Sequence, residues 1–448
     1  MQDSFPDTRT RLAGAFRTRF LVMLGLALYV WLFWVCYVQN VYPLHGFMGL
    51  HYEPGPASQT GLIILLSLLP GLVMPLAVTR PSQFFAWGLY TIVYVPTLLY
   101  STWNGQSWTA NMEMDLALLT GLMTVLAASF FPCLQLPRFR ISQAGFWCAF
   151  GVISLVFYAI CIWAFGANLR LVSLNEIYLR RAEWEQQIRF PANYAMAWQA
   201  QVLNPLLMGY AVCSRKWLWF AVAVAGQLFF FLVGAMKAMP ASAVLVLALL
   251  PIMARAGRAF AKRWVWSTVL VFGVSALVLG ATRNLLTAVL TDLVLWRIFV
   301  GPGYLTSLYF DFFKDNPIAN FGEVKGFNLF FASPYDEGYK KVLGYSFFSQ
   351  LTDPNVNLWG DGYANAHLLG VAFESLVALG ALWALDCACR SLDIRLVVLA
   401  TSFQLINLTN GAIIPILLGN GFFLLILVMS LLPRAENKRP SAPPGAPT

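Results

Sequence analysis

Arg17-Thr18-Arg19 leads directly into Phe20-Leu21-Val22-Met23-Leu24-Gly25-Leu26-Ala27-Leu28-Tyr29-Val30-Trp31-Leu32-Phe33-Trp34-Val35-Cys36-Tyr37-Val38. No charge interrupts the run from Phe20 to Val38, which is long enough to cross a hydrocarbon core as one helix. In lipid the backbone must satisfy its own hydrogen bonds, so such a run can only be helical. With Arg9, Arg11, Arg17 and Arg19 before it and no cleavage pattern after it, the run reads as a retained first helix with a cytoplasmic N-terminus, residues 1–19.

The rest of the chain repeats this pattern. Of 448 residues, 59% are hydrophobic and 11% charged, and the mean hydropathy is +0.67. A soluble domain carries about 25% charged residues. The net charge of +9 does not indicate nucleic acid, because the cations sit in short clusters between apolar runs and form no basic stripe. The seven cysteines avoid the long polar segments, so no disulfide framework is expected, and Cys387-x-Cys389 has no nearby histidine to complete a metal site.

Twelve apolar runs are expected to span, at roughly 20–39, 61–78, 83–100, 115–135, 143–166, 192–212, 217–236, 239–254, 264–282, 366–386, 396–412 and 414–432. The membrane domain is then 20–432, and 433–448 is a proline-rich disordered cytoplasmic tail. Both termini fall inside, and every short inner loop carries Arg or Lys. Ten of the eleven outer cations lie in two external loops, 167–191 and 283–365; the eleventh is Lys237. Long loops escape the charge-sorting rule, so their cations need another reason. No internal repeat is visible, which argues against a transporter built from repeated halves.

Arg180 and Arg181 sit in the first loop. Guanidinium groups are natural partners of phosphate oxygens, although Glu176, Glu183 and Glu185 offer local pairing. Lys237 stands where two apolar helices meet with almost no loop; it is a functional candidate or a lysine snorkelling to the interface. Arg283 closes the ninth run. Arg297 lies in an apolar stretch that should lie at the membrane surface or re-enter, facing ligand or pairing with Asp292, and Gly301-Pro302-Gly303 should break the helix behind it. The closing stretch from Asn357 through Trp359, Asp361 and Tyr363 to His367 combines rings with small polar groups, as a sugar surface would. His367 at a helix start is the first candidate base and Asp361 the second. The alternative is an interfacial belt for Trp359 and Tyr363 and a helix cap for Asp361. His45 and His51, with Glu53 near, form only a weak metal pattern, and no P-loop, zinc-protease or hydrolase-elbow motif occurs.

Taken in order, Tyr178-Leu179-Arg180-Arg181, Gly234-Ala235-Met236-Lys237, Arg297 with Pro302-Gly303 and Tyr309-Phe310-Asp311-Phe312-Phe313, and the Asn357–Gly370 stretch resemble the bacterial oligosaccharide repeat-unit polymerases. These are the Wzy-type O-antigen and exopolysaccharide polymerases. The resemblance covers most of 165–375; spacing favours Arg181 for the family's arginine. It implies an all-α polytopic membrane protein of GT-C-like type in the bacterial inner membrane. The implied glycosyltransferase moves a growing glycan from undecaprenyl diphosphate onto an incoming lipid-linked oligosaccharide repeat unit. The diphosphate would be held by Arg180, Arg181, Lys237, Arg283 and Arg297, and the sugar by Asn357, Trp359, Tyr363 and Tyr309, with His367 or Asp361 as base. No cofactor or metal is implied; the partners are lipid-linked oligosaccharides, membrane lipids and a chain-length co-polymerase. An O-antigen ligase acting on lipid A–core, or a lipid-linked sugar flippase, are the alternatives.

Overall fold

A computed structural model describes residues 8–135, 141–166, 190–234, 236–254, 257–282, 284–348 and 353–434. Among these no strand forms beyond one isolated bridge, Glu53 with Asn104. Among the described residues eight helices are long and apolar enough to cross a membrane, including Gly14–Met48, Gln143–Phe165 and Ile413–Leu431, and two shorter apolar helices are Ala57–Leu72 and Ala238–Ile252. The chain is an all-α membrane protein. The runs near 83–100, 192–212 and 396–412 are also helical, as Pro81–Leu89 continuing to Tyr100, Ala192–Trp198 continuing to Cys213, and Ile394–Asn410.

The helices end in two chemically different ways. At one end of the bundle, arginines meet carbonyls left over at helix ends and turns. Arg19 donates to the Gly71 and Met74 carbonyls at 3.0 and 2.6 Å, and Arg80 to Phe131 at 2.7 Å. Arg263 donates to Ala254, and Arg434 to Ala388 at 2.9 Å. Terminal carbonyls carry partial negative charge, so cations are favourable there. The opposite end carries neutral polar contacts among others: Tyr37 to the His51 carbonyl at 2.5 Å, Tyr304 to Met48 at 2.5 Å, and Asn104 to Ser307 at 3.2 Å.

Among the described residues four helices widen into π turns, at Tyr37–Val41, Tyr90–Tyr94, Gln199–Leu203 and Thr291–Val300. Each is followed within two residues by a proline: Pro43, Pro96, Pro205 and Pro302. Proline lacks an N–H, and its ring collides with the carbonyl one turn back. Inserting a residue into that turn moves the carbonyl aside and lets the helix continue. This overturns the expectation at Gly301-Pro302-Gly303: the helix does not break there but runs on to Asp315. Gly303 serves approach instead, since a Cβ would sit 2.8 Å from Pro96 C and Thr97 N.

The resulting helix reorganises what the sequence presents as a loop. The 29-residue stretch Thr287–Asp315 is roughly 43 Å long. Phe299 meets Tyr29 and Phe272, Trp296 meets His45, Tyr304 meets Tyr100, and Phe310 stacks on Tyr363. It therefore crosses the bundle, touching several helices in turn.

The second irregular element is Leu358–Cys389, which is two helices joined at a sharp break. Ala366 has φ −157° and His367 has φ 48°, ψ −137°. The break folds the short first helix against the start of the second. An added Cβ on Gly370 would lie 1.8 Å from the Gly362 carbonyl oxygen.

Candidate functional site

Asp292 is the second residue of the π turn of the crossing helix and Arg297 follows five residues later. On an α-helix five residues would rotate the two about 140° apart. The π turn, bonded i to i+5, brings them to one face. Arg297 and Lys237, the latter at the junction of two other helices, both lie within electrostatic range of the Asp292 carboxylate. The structure thus brings two of the sequence-predicted cations together around one acid. Arg180, Arg181 and Arg283 lie outside the described residues.

The fourth member of this cluster is His45, which the sequence offered only as part of a weak metal pattern. Its Nε2 lies 3.3 Å from Asp292 Oδ1, and its ring stacks on Trp296 at 4.9 Å and 18°. His45 is 7% exposed, and its Nδ1 has no partner. If Nε2 carries the proton donated to Asp292, Nδ1 is left as a buried lone pair. That is the arrangement in which a carboxylate fixes a histidine as proton acceptor. The backbones of His51 and Glu53 are engaged, the first through its carbonyl to Tyr37 and the second in the bridge to Asn104, and among the described residues no group of three metal-ligating side chains forms.

The aromatic closing stretch is placed differently from the expectation. Asn357 caps its helix by accepting from the Trp359 and Gly360 amides, and donates to Thr306 at 2.7 Å. Trp359 donates to Ser375 at 3.2 Å, and Tyr309 to the Pro354 carbonyl at 2.6 Å. These three are fully buried, with no ring face or amide open to a sugar. Tyr363 is buried as well, stacked on Phe310 at 3.9 Å with its hydroxyl 3.3 Å from Glu113. The sugar-binding expectation for all four is corrected to a packing role: along this stretch the rings fill the space between the crossing helix and the broken helix.

Asp361 is neither an exposed base nor the cap. It is buried, accepts from Tyr339 at 2.5 Å and Asn365 at 3.0 Å, and meets the carboxyl of Glu374 across the break. Burial first, and then the charge of Asp361, hold the Tyr339 phenol well above its ordinary range, so it remains a donor. Tyr339→Phe is therefore expected to lower stability by about 1–3 kcal/mol, the cost of leaving a buried acceptor unpaired. Thermal unfolding of the detergent-solubilised protein measures this; an unchanged midpoint would show that Asp361 does not depend on the tyrosine.

His367 is exposed, with Nε2 2.9 Å from the Phe313 carbonyl. Along the crossing helix Phe313 is roughly 24 Å from Arg297. The cations and His367 lie along one wall, too far apart to act on one bond. The residues that sequence reasoning passed over, Glu113, Glu374 and the His45–Asp292 pair, had one signal available: polar or ionisable groups within or beside apolar runs. Partners are not visible that way, since Asp292 is separated from His45 by 247 positions.

The chain matches no protein-family model, no curated protein and no solved structure.

Proposed function

We propose that the chain is a polysaccharide polymerase, a glycosyltransferase of GT-C-like, twelve-span architecture. It transfers a growing glycan from undecaprenyl diphosphate onto an incoming lipid-linked repeat unit at the periplasmic face of the inner membrane. The observation that carries this reading is the convergence of Lys237, Arg297, Asp292 and His45 at the end of the bundle opposite the arginine-capped helices. With the arginine end cytoplasmic by the positive-inside rule, the cluster faces the periplasm.

The chemistry follows from the groups. An acceptor hydroxyl oxygen attacks the anomeric carbon, the bond to the diphosphate breaks, and the electron pair goes to the leaving oxygen. Fixed cations placed where that charge develops lower the barrier without a metal ion. Lys237 and Arg297 fill this role, joined by Arg180, Arg181 and Arg283 as the family resemblance implies. The hydroxyl proton passes to His45 Nδ1, with Asp292 holding the ring. This replaces His367 and Asp361 as base, the first by its distance from Arg297 and the second by its burial among partners. In this reading His367 is left to contact a distal sugar of an extended repeat unit.

The test is incubation of purified protein in proteoliposomes with lipid-linked repeat units alone. A ladder of lengthening products supports the polymerase. Transfer only when lipid A–core is added would make it a ligase, and transbilayer movement without lengthening a flippase. His45→Gln and Asp292→Asn are each expected to lower the turnover rate about 10²–10⁴-fold with a smaller change in KM. Equal turnover in both variants would remove the pair from the mechanism.

A further inference from the structure

A cavity of about 280 Å³ opens beside this cluster, between the end of the first long helix and the start of the crossing helix. Its polar lining is Gln39, Asn40, Thr282, Asn284, Thr287 and Thr291, over an apolar floor that includes Leu279. Among the described residues every lining side chain is uncharged. Paired amides and hydroxyls can both donate and accept, which is what vicinal hydroxyl groups require. The volume lies near the lower end of the small-molecule range, roughly 300–1,000 Å³, and suits a single ring.

Two observations mark it as a built site. Asn40 is 5% exposed and lines the cavity, yet its amide nitrogen has no hydrogen-bond partner. A buried N–H group left unmade carries a cost that a ligand acceptor would remove. The walls are also supplied by two π turns, Tyr37–Val41 and Thr291–Val300, which pack against each other. Such turns are over-represented at functional sites. Asn284 and Thr287 cap one another, at 3.0 and 2.9 Å, which fixes the third wall.

The cavity is continuous in sequence with the catalytic candidates. Thr291 precedes Asp292, and Pro43 and Leu44, which also line it, precede His45. We propose that this cavity binds one neutral pyranose ring by its hydroxyls, as the sugar subsite next to the His45–Asp292 pair. That the ring belongs to a lipid-linked glycan rests on the polymerase reading; the ligand class rests on the cavity alone.

Saturation-transfer NMR on the full chain in nanodiscs tests it, with methyl α-D-glucopyranoside, methyl α-D-galactopyranoside and N-acetylglucosamine as probes. Glycerol is the arm for a lipid-derived polyol. At least one pyranose is expected to bind, and Asn40→Leu to weaken it about tenfold or more. The near-isosteric Thr291→Val, which preserves packing volume, should weaken it several-fold, while Arg395→Gln at the far end leaves it unchanged. Absence of pyranose binding, or full binding in both cavity variants, overturns the proposal. Glycerol binding as tightly as the sugars, with the same sensitivity to Asn40→Leu, overturns the sugar assignment in favour of lipid. The elongation assay is separate: a ladder from wild type without sugar binding defeats the cavity alone, and sugar binding without a ladder defeats the polymerase reading alone.

Discussion

Arg297→Ala is expected to reduce glycan elongation about 10²–10³-fold, the usual loss when one fixed donor to a developing anion is removed. Lys237→Ala should fall in the same range. Each residue stands close enough to act on Asp292, and the two come from different helices, so neither can take over the other's position. Arg297 is exposed, and removing an exposed cation has little effect on stability, of order 0–1 kcal/mol. A large loss of rate with an unchanged unfolding midpoint therefore separates chemistry from folding. Arg297→Lys keeps the charge but loses the planar fork and should recover only part of the rate. Elongation at wild-type rate in both alanine variants would end the proposal that these cations hold the leaving group.

The largest structural effect is expected at Gly370. A methyl group there would overlap the Gly362 carbonyl oxygen, at 1.8 Å, and come within 2.7 Å of its carbon. Both obstacles are backbone, so no side chain can swing away. The break at Ala366–His367 would have to open, and with it the Tyr339–Asp361–Glu374 contacts. Gly370→Ala should destabilise by about 3 kcal/mol or more, at or beyond the upper end of overpacking effects. Gly380 lies on the same helix with nothing within 4 Å of an added Cβ, so Gly380→Ala is the matched control and should be neutral. Size-exclusion profiles and unfolding midpoints of the two variants decide it. A Gly370→Ala protein as stable as the Gly380→Ala control would show that the two helices do not meet there.

The apolar runs were legible because a helix in lipid is a local solution: the backbone satisfies itself within a few residues, whatever lies nearby. The cations Lys237 and Arg297 were legible for a related reason, since charge beside apolar sequence stands out. The aromatic stretch was not. Trp359 and Tyr309 have the composition of a sugar surface, but their exposure depends on the crossing helix, which the sequence presents as interrupted at Pro302. Read alone, Gly301-Pro302-Gly303 is a stop; preceded by a π turn, it is passable. That difference converts a loop into a wall and turns the rings inward.

The sequence by itself determined that this is a helical membrane protein and that its cations cluster between apolar runs. Each of these depends on neighbours within a turn or two. Only the tertiary structure decided which polar groups face one another. His45 joins Asp292 across 247 positions and Tyr339 joins Asp361 across the break-bearing end of the bundle, while Asn40 is left facing a cavity. Such pairings are set by how the helices pack, and packing combines surfaces whose order along the chain carries no record of the contact.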